Sequence, residues 1–270
     1  MASAQPTDAR APTPPRSARR VMTEIFRDVS VGGIASLVSG IVILGFGGRL
    51  VMFLSRVLHP EAIGRFTENG NEVGFFTVDG TLGLLIFGGI FGGLAAAPVW
   101  VVMKPWIPKR SAMVGVGAVA IGGFQLVTSD NPDFDILEGP AVDLGMLLAL
   151  MFVFGVGVYL FDRFLDRRLP RGDRTGQIVF YGAVTAVGLL IVPLGLVFQF
   201  LPSFADHTQS PVWTAVFVCA TALVTLWWWV GRARGLTEPT PIQRRLGSGF
   251  AAAAALVGLL HLTLEITRIL

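Results

Sequence analysis

Charge is scarce in this chain. Only 14% of its 270 residues are Asp, Glu, Lys or Arg, against 53% hydrophobic ones. A soluble domain has roughly 25% charged residues, so this composition excludes an ordinary water-soluble globule. Cysteine is nearly absent as well: Cys219 stands alone in an apolar stretch, which excludes an intramolecular disulfide framework and any multi-cysteine metal site. There are two lysines, Lys104 and Lys109, both in one connection between apolar stretches. A covalent retinal needs a lysine inside a helix, so a rhodopsin-type photoreceptor is excluded. The three histidines, His59, His207 and His261, never form the H-E-x-x-H pattern of a metalloprotease helix. Gly247-Ser248-Gly249 resembles an intramembrane serine-protease motif only superficially, since Ser248 stands beside Arg244 and Arg245 with no histidine at its depth. No glycine-rich nucleotide loop follows a strand.

What the chain does have is seven apolar stretches: Gly33 to Val57, Thr81 to Met103, Ala112 to Thr128, Ala141 to Phe161, Ile178 to Leu201, Val212 to Val230 and Gly247 to Leu270. A hydrocarbon layer about 30 Å thick takes roughly 20 residues of helix. The pattern therefore predicts an all-α integral membrane protein, a bundle of about seven transmembrane helices. The third stretch is the shortest and most glycine-rich, and a re-entrant or tilted course would suit it too.

The connections alternate in charge. Seventeen of the 21 Lys and Arg residues fall in the N-terminal segment and the second, fourth and sixth connections. The positive-inside rule makes that side cytoplasmic, placing the N-terminus inside and the C-terminus outside. The other side is acidic, with Glu61, Glu68, Glu72 and Asp79, then Asp130, Asp133, Asp135 and Glu138, then Asp206. Tyr159, Tyr181, Trp100, Trp106 and Trp227 to Trp229 gather near the basic ends, as an interfacial belt does. The expected location is the cell membrane, multi-pass, of a bacterial-type cell. The basic pI of about 9.6 follows from this topology and the anionic lipid surface, not from nucleic acid.

Two regions are expected: residues 1–28, a disordered cytoplasmic tail rich in Ala, Pro and Thr plus a short interfacial amphipathic helix, and residues 29–270, one transmembrane domain. The amphipathic helix is read from Val21, Met22, Ile25, Phe26 and Val29 at helical spacing.

The candidate sites are few. Arg49 lies inside the first stretch, where a guanidinium costs about 2.5–3.5 kcal/mol. Glu265 in the last stretch reaches a comparable depth, so an Arg49–Glu265 ion pair is expected if the two helices touch. His261, four residues before Glu265, shares its face, and the three could form a proton relay or an anion site. Asp130, Asp133, Asp135 and Glu138 concentrate carboxylates in one outer connection, a weak cation-binding candidate whose spacing is not that of an EF-hand loop. Asp143 at the start of the fourth stretch is accounted for by the helix dipole. Gly88, Gly89, Gly92 and Gly93 make small-residue faces suited to helix packing, and Pro193 with Gly195 marks a kink or hinge. No catalytic constellation and no cofactor-binding motif stands out. The partners implied are the lipid bilayer and, through the small-residue faces, a second copy or a partner membrane subunit. The functional expectation is a small-solute or ion carrier or channel-like protein; the alternative is a non-catalytic accessory, assembly or sensing subunit.

Overall fold

The structure, a computed structural model, describes residues 18–67, 70, 72–172, 174–200 and 212–270, with side-chain surroundings for all of these but 191–200. The tail expected over residues 1–17, together with Glu68, Asp206 and His207, lies outside them.

Among the described residues the fold is helical, with a single isolated bridge between Phe66 and Glu72. Seven rods follow one another: α1 (Ala18–Leu58), α2 (Val78–Met103), α3 (Ser111–Gln125), α4 (Ala141–Arg168), α5 (Thr175–Phe200), α6 (Val212–Ala233) and α7 (Pro241–Ile269). Five of these, α1, α2, α4, α6 and α7, are long and apolar enough to cross a membrane, while α3, Ser111–Gln125, is shorter. The helix ends follow local chemistry. Thr77 caps α2 by accepting from the Gly80 N–H at 3.0 Å. Thr240 and Gln243 form a reciprocal capping box at the start of α7, with Pro241 in its first turn.

The amphipathic segment and the first apolar stretch form one helix: α1 is continuous for 41 residues. Of its apolar stripe, Val21 and Ile25 are buried, as is Val31 further on, whereas Met22 is exposed; α4 and α5 pack against this part of α1. Ser30 donates to the Tyr181 carbonyl and Thr185 to that of Phe26.

At mid-length, α1 crosses α2. Both helices are wound there as π-helix, over Gly40–Gly47 and Leu85–Phe91, a local widening often found at functional sites. The crossing is close because it lacks side chains: a Cβ on Gly40 would collide with the Gly89 carbonyl, and one on Gly93 would lie 2.8 Å from the Ser36 carbonyl. Thus Gly89 and Gly93 meet the α1 backbone, Gly92 meets the Leu44 side chain of α1, and Gly88 lies nearest Leu84 of its own helix. Around this crossing Leu44, Trp100, Val114, Met151, Phe154, Val158 and Tyr159 form an apolar cluster.

The third stretch is short for a physical reason. The helical part of α3 ends at Gly122 and a single 3₁₀ turn continues to Gln125. Beyond it Val127, and Phe134 in a second 3₁₀ turn over Pro132–Ile136, pack against Leu144 and Leu262.

Candidate functional site

Polar groups concentrate at both ends of the bundle. At the basic end, Asp28 of α1, Lys104 just after α2, Asp162 and Asp166 of α4, and Arg232 of α6 converge. The Lys104 ammonium donates to Asp162 Oδ1 at 3.1 Å and to the Asp28 carbonyl at 2.8 Å. The Trp100 indole N–H donates to the same Asp162 oxygen at 3.0 Å. Arg232 forks between Asp28 Oδ2 and Glu24 Oε2, each at 3.0 Å. Arg27, 4% exposed, binds Asp166 Oδ1 at 2.6 Å and also the carbonyls of Asp166 and Leu169. These contacts lace α1, α2, α4 and α6 together.

Above this layer opens a cavity of about 350 Å3. Five cations line it, Lys104, Lys109, Arg163, Arg167 and Arg232, with three carboxylates and an apolar wall that includes Trp228 and Trp229. The residues just after α2 form its rim. Tyr159 fixes that rim by donating to the Lys109 carbonyl at 2.7 Å, while Arg163 donates to the Tyr159 oxygen at 2.8 Å.

At the acidic end, His59 closes α1 and sits between two carboxylates. Its Nε2 is 2.7 Å from Asp143 Oδ2 and its Nδ1 is 2.9 Å from Glu61 Oε1. His59 and Asp143 are 7% and 4% exposed. Two acceptors facing the two ring nitrogens call for a proton on each, which is the imidazolium. Burial pushes the His59 imidazole down, but the hydrogen bonds and charges of Glu61 and Asp143 outweigh it and raise it above its ordinary value. Glu61 is held below the usual carboxylate range by its own backbone N–H, which outweighs its burial, with His59 adding to the effect. The helix dipole alone therefore does not account for Asp143.

The Arg49–Glu265 pair is corrected. Arg49 is buried, yet its guanidinium donates to the Phe75 carbonyl at 2.8 Å and lies over the Phe76 ring, 5.0 Å from its centroid. The first connection folds back along α1 and supplies this cradle. Glu265 instead accepts from the Ser129 N–H at 2.8 Å and hydroxyl at 2.7 Å, and from Arg268 at 2.9 Å. It anchors the non-helical chain that follows α3. His261 meets the Phe124 ring edge-on. In the outer connection, Asn131 caps a short 3₁₀ turn by accepting from the Asp133 N–H. Among the described residues no three His, Cys, Asp or Glu side chains are gathered closely enough to hold a metal ion, so Asp130, Asp133, Asp135 and Glu138 do not form a coordinating cluster.

Sequence reasoning passed over both polar layers. A usable signal existed at the basic end: Asp162 and Asp166 are one helical turn apart among arginines, acidic exceptions on the basic side. His59 and Asp143 are 84 residues apart, and no local pattern joins them. Comparison with protein-family models, curated proteins and solved structures finds no match to this chain.

Proposed function

We propose that the protein is a seven-span membrane carrier for a small solute or ion, with the N-terminus and the basic end in the cytoplasm. The observation that carries this reading is the spacing of two charged layers on one helix. Asp143 and Asp162 are 19 positions apart on α4, which at 1.5 Å per residue is about 28 Å, close to the thickness of a hydrocarbon core. Each layer laces several helices at one membrane surface, and the apolar cluster of Leu44, Met151 and Phe154 closes the level between them. A carrier needs such an arrangement: two closures that open in turn around a mobile middle. The paired π-helical segments of α1 and α2 offer the place to bend. Positive-inside orientation puts the cavity in the cytoplasm.

A second reading, a non-catalytic accessory or sensing subunit, is favoured by that same apolar middle, which has to part before anything passes. Solute-evoked currents on reconstituted membranes separate the two. A current evoked by one of a panel of small anions, cations and amino acids, and altered in Asp162→Asn, supports the carrier. Silence with every solute, from protein that still melts cooperatively, selects the accessory role.

A further inference from the structure

The basic-end cavity carries a charge balance that orientation alone does not explain. Its three carboxylates are committed: Asp28 to Arg232, Asp162 to Lys104 and Trp100, Asp166 to Arg27 and Arg171. Lys109, Arg163 and Arg167, in contrast, have no carboxylate partner among the described residues, and all three line the same concavity. The positive-inside rule accounts for cations on this side of the bundle; it does not by itself set three without a carboxylate partner around one hollow. Like charges held together repel, and the arrangement is relieved when an anion sits among them.

We infer that this cavity is a binding site for a phosphate-bearing anion, with Lys109, Arg163 and Arg167 as its ligating cations. Guanidinium groups match phosphate oxygens in a bidentate fork, and a lysine adds a mobile point charge. Arg163 is pre-positioned, because its bond to Tyr159 and its place 5.6 Å over that ring fix its direction. The bond from Tyr159 to the Lys109 carbonyl holds the opposing rim. About 350 Å3 exceeds what a bare phosphate fills and falls in the range of small-molecule sites, so the phosphate carries a further group lying toward Trp228 and Trp229. That group belongs to a soluble phosphomonoester or to the headgroup of an anionic lipid; the phosphate chemistry is common to both. The inference names the occupant of the inner site and does not depend on whether the protein moves it.

The test uses the full chain in detergent and in nanodiscs. Melting temperature is measured with inorganic phosphate and with glycerol 3-phosphate against chloride at equal ionic strength, and in nanodiscs of phosphatidylglycerol against phosphatidylcholine. The variants are Lys109→Gln/Arg163→Gln/Arg167→Gln, whose side chains are exposed, and the control Arg245→Gln on the same face. We expect a rise of about 3 °C or more with the phosphate compounds, kept by the control and lost in the triple variant. A rise confined to phosphatidylglycerol nanodiscs, and lost in the triple variant, assigns the occupant to a lipid headgroup. If neither source stabilises the protein, or the triple variant responds as the parent does, the site is refuted. Binding without solute current leaves this inference standing and removes the carrier reading; current without binding does the reverse.

Discussion

His59 Nε2 lies 2.7 Å from Asp143 Oδ2, joining the end of α1 to the first turn of α4 across 84 positions of sequence. Glu61, on the other ring nitrogen, makes the histidine a bridge between two carboxylates.

This bridge gives stability a pH dependence of known sign. The imidazole is raised above its ordinary 6.5 in the folded protein, so its contribution is full below about pH 6.5 and lost as pH rises through the folded value. Glu61 is lowered from 4.5; its contribution is present above about pH 4.5 and lost as pH falls through its own folded value. The difference in melting temperature between the parent and His59→Gln is therefore expected to be largest between those limits and to shrink toward pH 9. A difference that stays constant across that range would show that the ring contributes packing and not charge.

Arg49 and Glu265 have separate partners, Phe75 and Ser129. Their effects should then add. In a double-mutant cycle with Arg49→Met and Glu265→Gln, the coupling is expected within about 0.5 kcal/mol of zero. Coupling above about 1 kcal/mol would bring back the cross-helix pair.

Arg27 is buried against Asp166, whose own side chain is 38% exposed. Removing one partner of a fully buried pair costs about 3–5 kcal/mol. Here the exposed carboxylate and the two carbonyls that Arg27 keeps reduce that to about 1–2 kcal/mol for Asp166→Ala. Arg27→Met together with Asp166→Ala should recover part of the loss. A double variant worse than Asp166→Ala alone would mean that the guanidinium serves mainly by packing.

The crossing of α1 and α2 has no room for a side chain at Gly40 or Gly93. Gly93→Leu is expected to destabilise by about 1–3 kcal/mol or more, since the obstruction is backbone and cannot rotate away. Gly83→Leu, on the same helix with open space around it, is the matched control. Equal melting temperatures for the two variants would refute the close approach.

Helix positions were readable because apolar length and charged flanks are local properties. The sequence stretch Ala141 to Phe161 becomes a helix that runs on to Arg168, and Thr81 to Met103 needs only three more residues at its start. What escaped depends on pairing across the fold. Lys104 reads as one of many basic loop residues until Asp162 and Asp28 meet it. Arg49 reads as a charge seeking a carboxylate, although carbonyls and an aromatic face satisfy it. The amphipathic segment after residue 17 reads as membrane-surface helix because hydrophobic periodicity cannot distinguish burial against lipid from burial against α5. Glu265 reads as the partner of Arg49, since nothing local announces that the chain after α3 leaves its helix and needs an acceptor.

Orientation is the remaining expectation, and α3 decides it. Its 3₁₀ turn ends at Gln125, and a helix of that length covers only about 22 Å. Crossing is completed if the non-helical residues up to Ser129, anchored on Glu265, supply the rest of the depth. Cys219 is the sole cysteine and is exposed, so Cys219→Ser gives a clean background for single-cysteine labelling. An impermeant maleimide applied to intact cells is expected to modify Asp130→Cys and Leu270→Cys. Lys109→Cys and Thr237→Cys should react only after lysis. If Lys109→Cys and Asp130→Cys react from the same side, α3 enters and leaves by one surface. Every later crossing then reverses, the C-terminus joins the N-terminus, and the cavity at Arg163 faces the opposite compartment from Asp28 and Lys104. Asp28 and Lys104 share one ion-paired layer with Asp162, the residue next to Arg163, and labelling of Lys109→Cys and Asp130→Cys from opposite sides is the expected outcome.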